Sequence, residues 1–365
     1  MMEKEYKYKV ATRCLTYNHA MFIQDALDGF IMQETSFPIL FLVIDDASTD
    51  GEQDLLRIWA ETNLTAGDGS LMWQKMPYGE LAEGTLRDKP NISFAVLLLA
   101  ENHHKLGKSK LPYIADWLNV SKYYAICEGD DYWVSSDKLQ RQVSFLESHP
   151  EYVMTCSRAG LYSEKKKKIV GENYCYRHSR DISVKDVIYR GGLFISTCSI
   201  VYRREVAENR PDYWIKCCVG DYPLQIACVL KGKAWYFKEL MSVYRVENPS
   251  SWMGSQNWSA GGGDLKRKEV IESQIIMFQG FSKDYPKYSS LFENKIADQI
   301  NRTVPRRSER KADVEKHILF FSSFIKEYRS RWKFDLLIRK CRVPLVRGFY
   351  EKVVMRRFHV NNMYY

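Results

Sequence analysis

The run Phe37-Pro38-Ile39-Leu40-Phe41-Leu42-Val43-Ile44 is strongly apolar and stops abruptly at Asp45-Asp46-Ala47-Ser48-Thr49-Asp50-Gly51. The run reads as a strand. Ser48, Thr49 and Asp50 are good N-cap residues, and Glu52 to Glu61 continues with helical spacing, so the segment predicts strand, acidic turn, helix. The pattern has two companions. Tyr8 to Thr16 is strand-like, leads into Tyr17-Asn18-His19, and passes into a helical run from Met21 to Gln33. Tyr123 to Ile126 is apolar and aromatic, reads as a buried strand, and opens into Cys127-Glu128-Gly129-Asp130-Asp131-Tyr132-Trp133. Ligands of open α/β sheets bind at the carboxyl ends of the strands. Three such ends carrying polar clusters suit a nucleotide pocket better than three unrelated turns, although each cluster alone is also an ordinary helix cap or acidic surface turn.

The third cluster is the most demanding. Glu128, Asp130 and Asp131 put three carboxylates within four residues directly after a buried strand. Acids packed this way repel one another and lose hydration. A hard divalent cation, Mg²⁺ or Mn²⁺, would remove that penalty, and such ions are held by one or two carboxylates together with substrate phosphates.

With these residues in view, the chain resembles a known family. Cys14-Leu15-Thr16-Tyr17-Asn18, Val43-Ile44-Asp45-Asp46-Ala47-Ser48-Thr49-Asp50 and Glu128-Gly129-Asp130-Asp131-Tyr132-Trp133 look like the N-terminal signatures of family 2 glycosyltransferases of the bacterial surface-polysaccharide type. Ser136 to Leu146 is similar to the helix that follows the metal motif in that family. The clear resemblance covers residues 7 to about 250. It implies an α/β chain with the GT-A fold, a Rossmann-like mostly parallel sheet flanked by helices, with a C-terminal helical appendage. The catalytic domain is expected over 1–250, with a nucleotide-binding half over 1–133 and an acceptor half over 134–250. A flexible loop and a basic, aromatic-rich helical region are expected over 251–365.

The resemblance also implies an inverting transfer from a nucleotide-sugar donor, commonly a UDP-sugar, to a glycan or lipid-linked acceptor. Thr16, Tyr17 and Asn18 would line the nucleoside pocket, and Asp45 or Asp46 would bond the base. Glu128, Gly129 and Asp130 would face the donor diphosphate, with Asp130 and Asp131 as the cation contacts. Glu128 stands where most members have Asp, so its longer side chain is expected to reach the ribose or a water. The catalytic base maps to Asp221 in Gly220-Asp221-Tyr222-Pro223-Leu224, which composition alone would read as a helix cap. Arg245 maps to the diphosphate, and the Ser and Thr hydroxyls of Phe194 to Arg203 to a strand under the sugar. Two other classes remain in play on the same architecture: a sugar nucleotidyltransferase and a non-catalytic sugar-nucleotide or glycan binder. Thr16-Tyr17-Asn18-His19 is not the glycine-rich basic loop usual in the first of these.

The remainder sets limits. The 365 residues carry 45% hydrophobic side chains and nine Cys without a C-x-x-C pair, which reads as a reduced, cytoplasmic protein whose Cys14, Cys127, Cys156 and Cys198 act as small core hydrophobes. The first ten residues lack the apolar core of a signal peptide, and no run approaches the length of a membrane helix. Residues 65–91 read as a Gly- and Pro-containing insertion, and Lys165 to Lys168 as a solvated hairpin turn. The net charge of +9 is uneven: 302–358 hold 17 Lys and Arg against six Asp and Glu, interleaved with Phe320, Phe321, Phe324, Trp332 and Phe334. Such a segment suits an anionic membrane surface, placing the protein peripherally at the inner membrane face. Packing of these helices on the catalytic domain is the plain alternative. Nucleic acid is disfavoured, because no nucleic-acid motif accompanies the charge.

Overall fold

In the computed structural model the described residues are 5–67, 69–247 and 263–303. The stretch expected as a flexible loop falls outside them from 248 to 262, and the basic region 302–358 falls outside them from 304 on. The chain divides into two units, the first formed by residues up to Ile182, by Phe194–Glu208 and by the described residues from Ala227 to 247. The second is formed by Ser183–Leu193, Asn209–Ile226 and 263–303.

The first unit runs β1 (Tyr8–Thr16), α1 (Ile23–Ile31), β2 (Ile39–Asp45), α2 (Glu52–Asn63), β3 (Leu64–Thr65), β4 (Trp73–Met76), β5 (Gly79–Leu86), β6 (Lys89–Leu99), α3 (Leu111–Asn119), β7 (Ser121–Ile126), β8 (Tyr132–Trp133), α4 (Lys138–Ser148), β9 (Tyr152–Ser163), β10 (Lys168–Asn173) and β11 (Arg180–Asp181). It resumes with β12 (Val201–Arg203) and β13 (Lys233–Val246). All thirteen strands join one sheet in the order β11-β13-β9-β12-β7-β1-β2-β6-β5-β3, with β10 on β9, β4 on β5 and β8 on β13. The centre, β7-β1-β2-β6, is parallel, as is the long β9–β13 ladder. The mixed α/β class expected from the sequence is what the chain adopts.

β2 shows why the centre forms. All seven of its residues are buried. Ile39, Phe41 and Val43 face a core shared with Leu27 and Phe30 of α1, Leu56 and Trp59 of α2, and Leu139 and Val143 of α4. Leu40, Leu42 and Ile44 face the opposite core with Ile114 of α3. A strand covered on both faces by helices must be apolar at every position, unlike the alternating strands of half-exposed sheets. The aromatic spine of the first core is Phe30 stacked on Phe41 at 4.5 Å, with Trp133 edge-on to Phe30 at 5.2 Å. The Trp133 indole N–H donates to the Cys198 carbonyl at 2.8 Å, so this motif tryptophan belongs to the core.

The sequence expectations meet three differences. The 65–91 insertion is built of strands, because β4, β5 and the start of β6 form an antiparallel meander that extends the parallel centre. Gly79 lets β5 leave its turn: its φ is 155°, and a Cβ there would lie 2.0 Å from the Leu98 carbonyl oxygen. The strand expected over Phe194 to Arg203 is only β12, since Thr197–Ser199 curls into a 3₁₀ turn closed by Ser199 Oγ donating to the Ser196 carbonyl at 2.7 Å. The N-cap of α2 is Gly51 in the left-handed region with no side-chain cap, not a hydroxyl residue. The Lys165–Lys168 hairpin turn and the buried cysteines are as expected, and of the eight described cysteines only Cys218 is exposed.

The second unit holds α5 (Val184–Arg190), α6 (Asp212–Ile215), the start of α7 (Asp221–Lys231), α8 (Gly263–Asp284) and α9 (Ser289–Thr303). Its core is aromatic: Phe281 stacks on Phe292 at 6.0 Å, and Tyr222 meets Phe278 edge-on at 5.6 Å. Lys295 Nζ, buried, donates to the Tyr189 carbonyl at 2.8 Å and ties α9 to α5.

Candidate functional site

The carboxyl ends of β1, β2 and β7 are neighbours in the first unit, because Thr16 pairs with Asp45 and Arg13 with Ile126. The turns leaving β1 and β2 are strained and mutually bonded. Asn18 and Ala47 both have positive φ, 56° and 60°. Non-glycine residues hold this conformation only where the surroundings fix it. Here the Asn18 N–H donates to Ser48 Oγ at 2.9 Å, the Thr49 N–H to Asn18 Oδ1 at 2.8 Å, the Ala20 N–H to Asp50 Oδ2 at 2.9 Å and the Asp46 N–H to the Thr16 carbonyl at 2.9 Å. The hydroxyls and carboxylate read from sequence as helix caps therefore bond the neighbouring turn.

At the centre of this network is Glu52, which is fully buried. Its carboxylate accepts the Thr16 hydroxyl, the His19 N–H at 2.8 Å and the Ser48 hydroxyl at 2.9 Å. Burial pushes its carboxyl up to about 7, against the hydrogen bonds that lower it. Sequence reasoning placed Glu52 only at the start of a helix.

The two acids of β2 have separate fates. Asp45 is fully buried; its Oδ1 accepts the Ser48 N–H at 3.0 Å and Gln53 Nε2 at 2.5 Å, while its Oδ2 has no hydrogen-bond partner among the described residues. Burial raises its carboxyl above the usual range. Asp46 is engaged by the loop after β6: Oδ1 accepts the His103 N–H at 2.8 Å, and Oδ2 accepts the His104 N–H at 3.1 Å and Lys110 Nζ at 2.9 Å. Of the two residues expected at the base, Asp46 is thus an anchor for that loop. Lys110 serves the same anchor, and Lys108 pairs with Glu101. Tyr17 is half-buried and its hydroxyl takes Lys105 Nζ at 3.0 Å.

The acidic loop hangs on the end of β1. The Gly129 N–H donates to the Leu15 carbonyl at 3.0 Å, and the Leu15 N–H to Glu128 Oε2 at 3.2 Å; Glu128 Oε1 lies 3.5 Å from Arg13. Glu128 is therefore turned back toward β1, and burial raises its carboxyl. Gly129 is packed so closely that a Cβ would lie 2.2 Å from Thr16 Oγ1 and 2.6 Å from Thr16 Cβ. Asp130 is half-buried, with Oδ2 3.8 Å from His19 Nε2. Asp131 is 2% exposed and points inward, its Oδ1 accepting the Arg245 backbone N–H at 3.0 Å. Burial, reinforced by the charge of Asp130, pushes Asp131 well above the carboxylate range.

Arg245 is 5% exposed, and its guanidinium pairs with Asp25 and Glu164 inside a box of Phe22, Tyr132 and Tyr162 rings centred 4.9, 5.0 and 5.2 Å away. In this arrangement two carboxylates occupy the fork of the Arg245 side chain that the sequence places at the diphosphate, and Arg245 ties β13 to α1 and to the acidic loop. Asp221 lies in the second unit, as the first residue of α7. Its Oδ1 accepts the Tyr222 N–H at 2.8 Å, and burial raises its carboxyl.

Among the described residues, no three His, Cys, Asp or Glu side chains converge on a point that could hold a metal by themselves, and no helix is long and apolar enough to cross a membrane. An open groove of about 570 Å³, bordered by Lys9, Phe37, Gln140 and Glu147, lies by the amino ends of β1 and β2, away from the acidic loop.

No family model matches the chain. It is 30% identical over 239 residues, 65% of its length, to uncharacterized proteins of Mycobacterium bovis and Mycobacterium tuberculosis, and the match spans 59% of those relatives. Among solved structures, TarS of S. aureus shares 18% identity at a TM-score of 0.45, covering 89% of this chain and 55% of that one. Residues 1–349 of TarS in complex with UDP share 14% at 0.45, covering 94% and 91%. The mannosyltransferase PcManGT of Pyrobaculum calidifontis with GDP-Man and Mn²⁺ shares 14% at 0.45, covering 92% and 88%. At these scores the functional case rests on the strand-end geometry.

Proposed function

We propose that this chain is an inverting, metal-dependent glycosyltransferase of the GT-A type, of family 2, which moves a hexosyl or N-acetylhexosaminyl group from a nucleotide sugar to a glycan or lipid-linked acceptor in surface-polysaccharide synthesis. The observation that carries this reading is Asp45 Oδ2, a buried carboxylate oxygen without a partner among the described residues, at the same rim as the acidic loop. An orphaned buried acceptor is destabilising unless something supplies the missing donor. The N–H of a pyrimidine base such as uracil is such a donor. The Thr16-Tyr17-Asn18 turn borders the same rim and would receive the nucleoside.

The donor set of the acidic loop fits a hard divalent cation, Mg²⁺ or Mn²⁺. Asp130 would hold it with diphosphate oxygens, the usual arrangement when a protein offers one or two carboxylates. Asp131, bonded to the Arg245 backbone, would fix the loop, and Gly129 would let it approach Thr16. When bound, the cation supplies Lewis-acid neutralisation of the departing diphosphate. Asp221 would take the proton of the acceptor hydroxyl. That oxygen bonds to the anomeric carbon on the face opposite the leaving nucleoside diphosphate, and the sugar–phosphate bond breaks. A carboxyl raised by burial is a better base near neutral pH than one at its ordinary value. The basic 302–358 region is the part proposed to meet an anionic membrane surface.

Two measurements test the reading. Calorimetric titration of UDP with Mn²⁺ should give binding that Asp45→Asn weakens about tenfold, because the amide turns a donor or a poorer acceptor toward the base. Undiminished binding in that variant would remove Asp45 from the nucleoside site. With a nucleotide-sugar panel, Asp221→Asn should lower turnover about a hundredfold and leave the donor Kd within twofold. Normal turnover in that variant would sink the base assignment.

A further inference from the structure

His19 is the most constrained group at the rim that the proposed donor site does not use. It is 8% exposed, and its Nδ1 lies 3.2 Å from Thr16 Oγ1. When Glu52 is ionised, the Thr16 hydroxyl gives its one proton to Glu52. Thr16 Oγ1 therefore meets Nδ1 as an acceptor, and the hydrogen-bond network assigns the ring proton to Nδ1. Nε2 is left with a bare lone pair, 3.8 Å from Asp130 Oδ2. With the ring proton on Nδ1, the Nε2 lone pair faces a carboxylate oxygen, an arrangement that a cation between them would complete. The separation is within the span of two ligand bonds of about 2.1 Å each meeting at one ion. The Nδ1–Thr16–Glu52 chain is also the kind of outer-shell support that fixes the tautomer of ligating histidines.

We propose that His19 Nε2 and Asp130 together ligate the divalent cation at this rim, so that the site prefers metals that accept imidazole nitrogen, of the Mn²⁺, Co²⁺ or Zn²⁺ kind, over Mg²⁺ and Ca²⁺. The inference rests on the reading of this rim as a cation–diphosphate site and adds a nitrogen ligand to it. Imidazole suits borderline transition metals, whereas carboxylate, carbonyl and water alone suit Mg²⁺ and Ca²⁺. Glu52 becomes a positioning residue: in Glu52→Gln the amide N–H₂ would face Thr16, reverse its hydroxyl toward Nδ1, and place the ring proton on Nε2.

The test uses the full chain with Mn²⁺ and UDP. Electron–nuclear double resonance of bound Mn²⁺ should show a nitrogen coupling that changes when the histidines are labelled with ¹⁵N and vanishes in His19→Ala. Competition should show Mn²⁺ bound at least tenfold more tightly than Mg²⁺, with that ratio collapsing in His19→Ala and in Glu52→Gln, both checked for native circular dichroism. Oxygen and phosphorus couplings without nitrogen would overturn the histidine ligand and leave the cation–diphosphate reading standing. Failure of Mn²⁺ to bind with or without UDP would overturn both. The isotope experiment on the unaltered protein decides the matter even if the variants misfold.

Discussion

Gly129→Ala is expected to lower stability by about 3 kcal/mol, the upper range for forcing extra volume into a closed site, and to abolish the stabilisation that UDP and Mn²⁺ together give the parent protein. The expectation comes from contact. The new methyl would overlap Thr16 Oγ1 at 2.2 Å and Thr16 Cβ at 2.6 Å, and press on His19 Nδ1 at 3.2 Å. Thr16 cannot turn away cheaply. It is β-branched, 2% exposed, and bonded to Glu52. Either the acidic loop lifts off β1, breaking the Gly129-to-Leu15 hydrogen bond and moving Asp130, or Thr16 leaves Glu52. A thermal melt with and without UDP and Mn²⁺ measures both effects. The cycle with Thr16→Gly identifies the cause, since removing the Thr16 side chain should more than halve the penalty of Gly129→Ala. A Gly129→Ala protein that melts with the parent and still responds to nucleotide would mean that the loop has room that the structure denies it.

Much of this rim could be read from sequence because it is local. A fully apolar strand, an acidic stop and a helical continuation occupy about 25 consecutive residues in 37–61, and β1 and β7 carry equally compact signals. What could not be read depends on partners far along the chain. Asp45 and Asp46 are adjacent and chemically identical, and only the arrival of the loop around His103 and Lys110 engages one and leaves the other with a buried oxygen that has no partner among the described residues. Glu52 sits where an acid ordinarily serves the helix dipole, so nothing nearby announces that it turns inward to Thr16 and His19, more than 30 residues upstream. Arg245 invites a phosphate reading until Asp25 and Glu164 close on it from α1 and the end of β9. The meander of β4, β5 and β6 was hidden by its glycines, which mark close backbone approaches rather than a loose insertion.

Glu52→Ala is expected to cost about 4 kcal/mol, because it strips acceptors from two or three buried donors, each of which costs about 1–3 kcal/mol when left unmade. Glu52→Gln separates this structural role from the charge. In the folded chain the carboxyl titrates at about 7, above its ordinary 4.5, because burial disfavours the anion. Between those values the folded state binds a proton that the unfolded state has lost. Stability from this residue is therefore fully present below pH 4.5, declines as pH rises toward 7, and levels off above it, a total change of about 3 kcal/mol. A glutamine keeps the shape and one acceptor but has no proton to release. Chemical denaturation across pH 4.5–8 should show the parent losing stability relative to Glu52→Gln through that window, with parallel curves above it. Curves parallel throughout would mean that Glu52 stays ionised in the folded protein, and that the acceptance of the Thr16, His19 and Ser48 donors outweighs its loss of water.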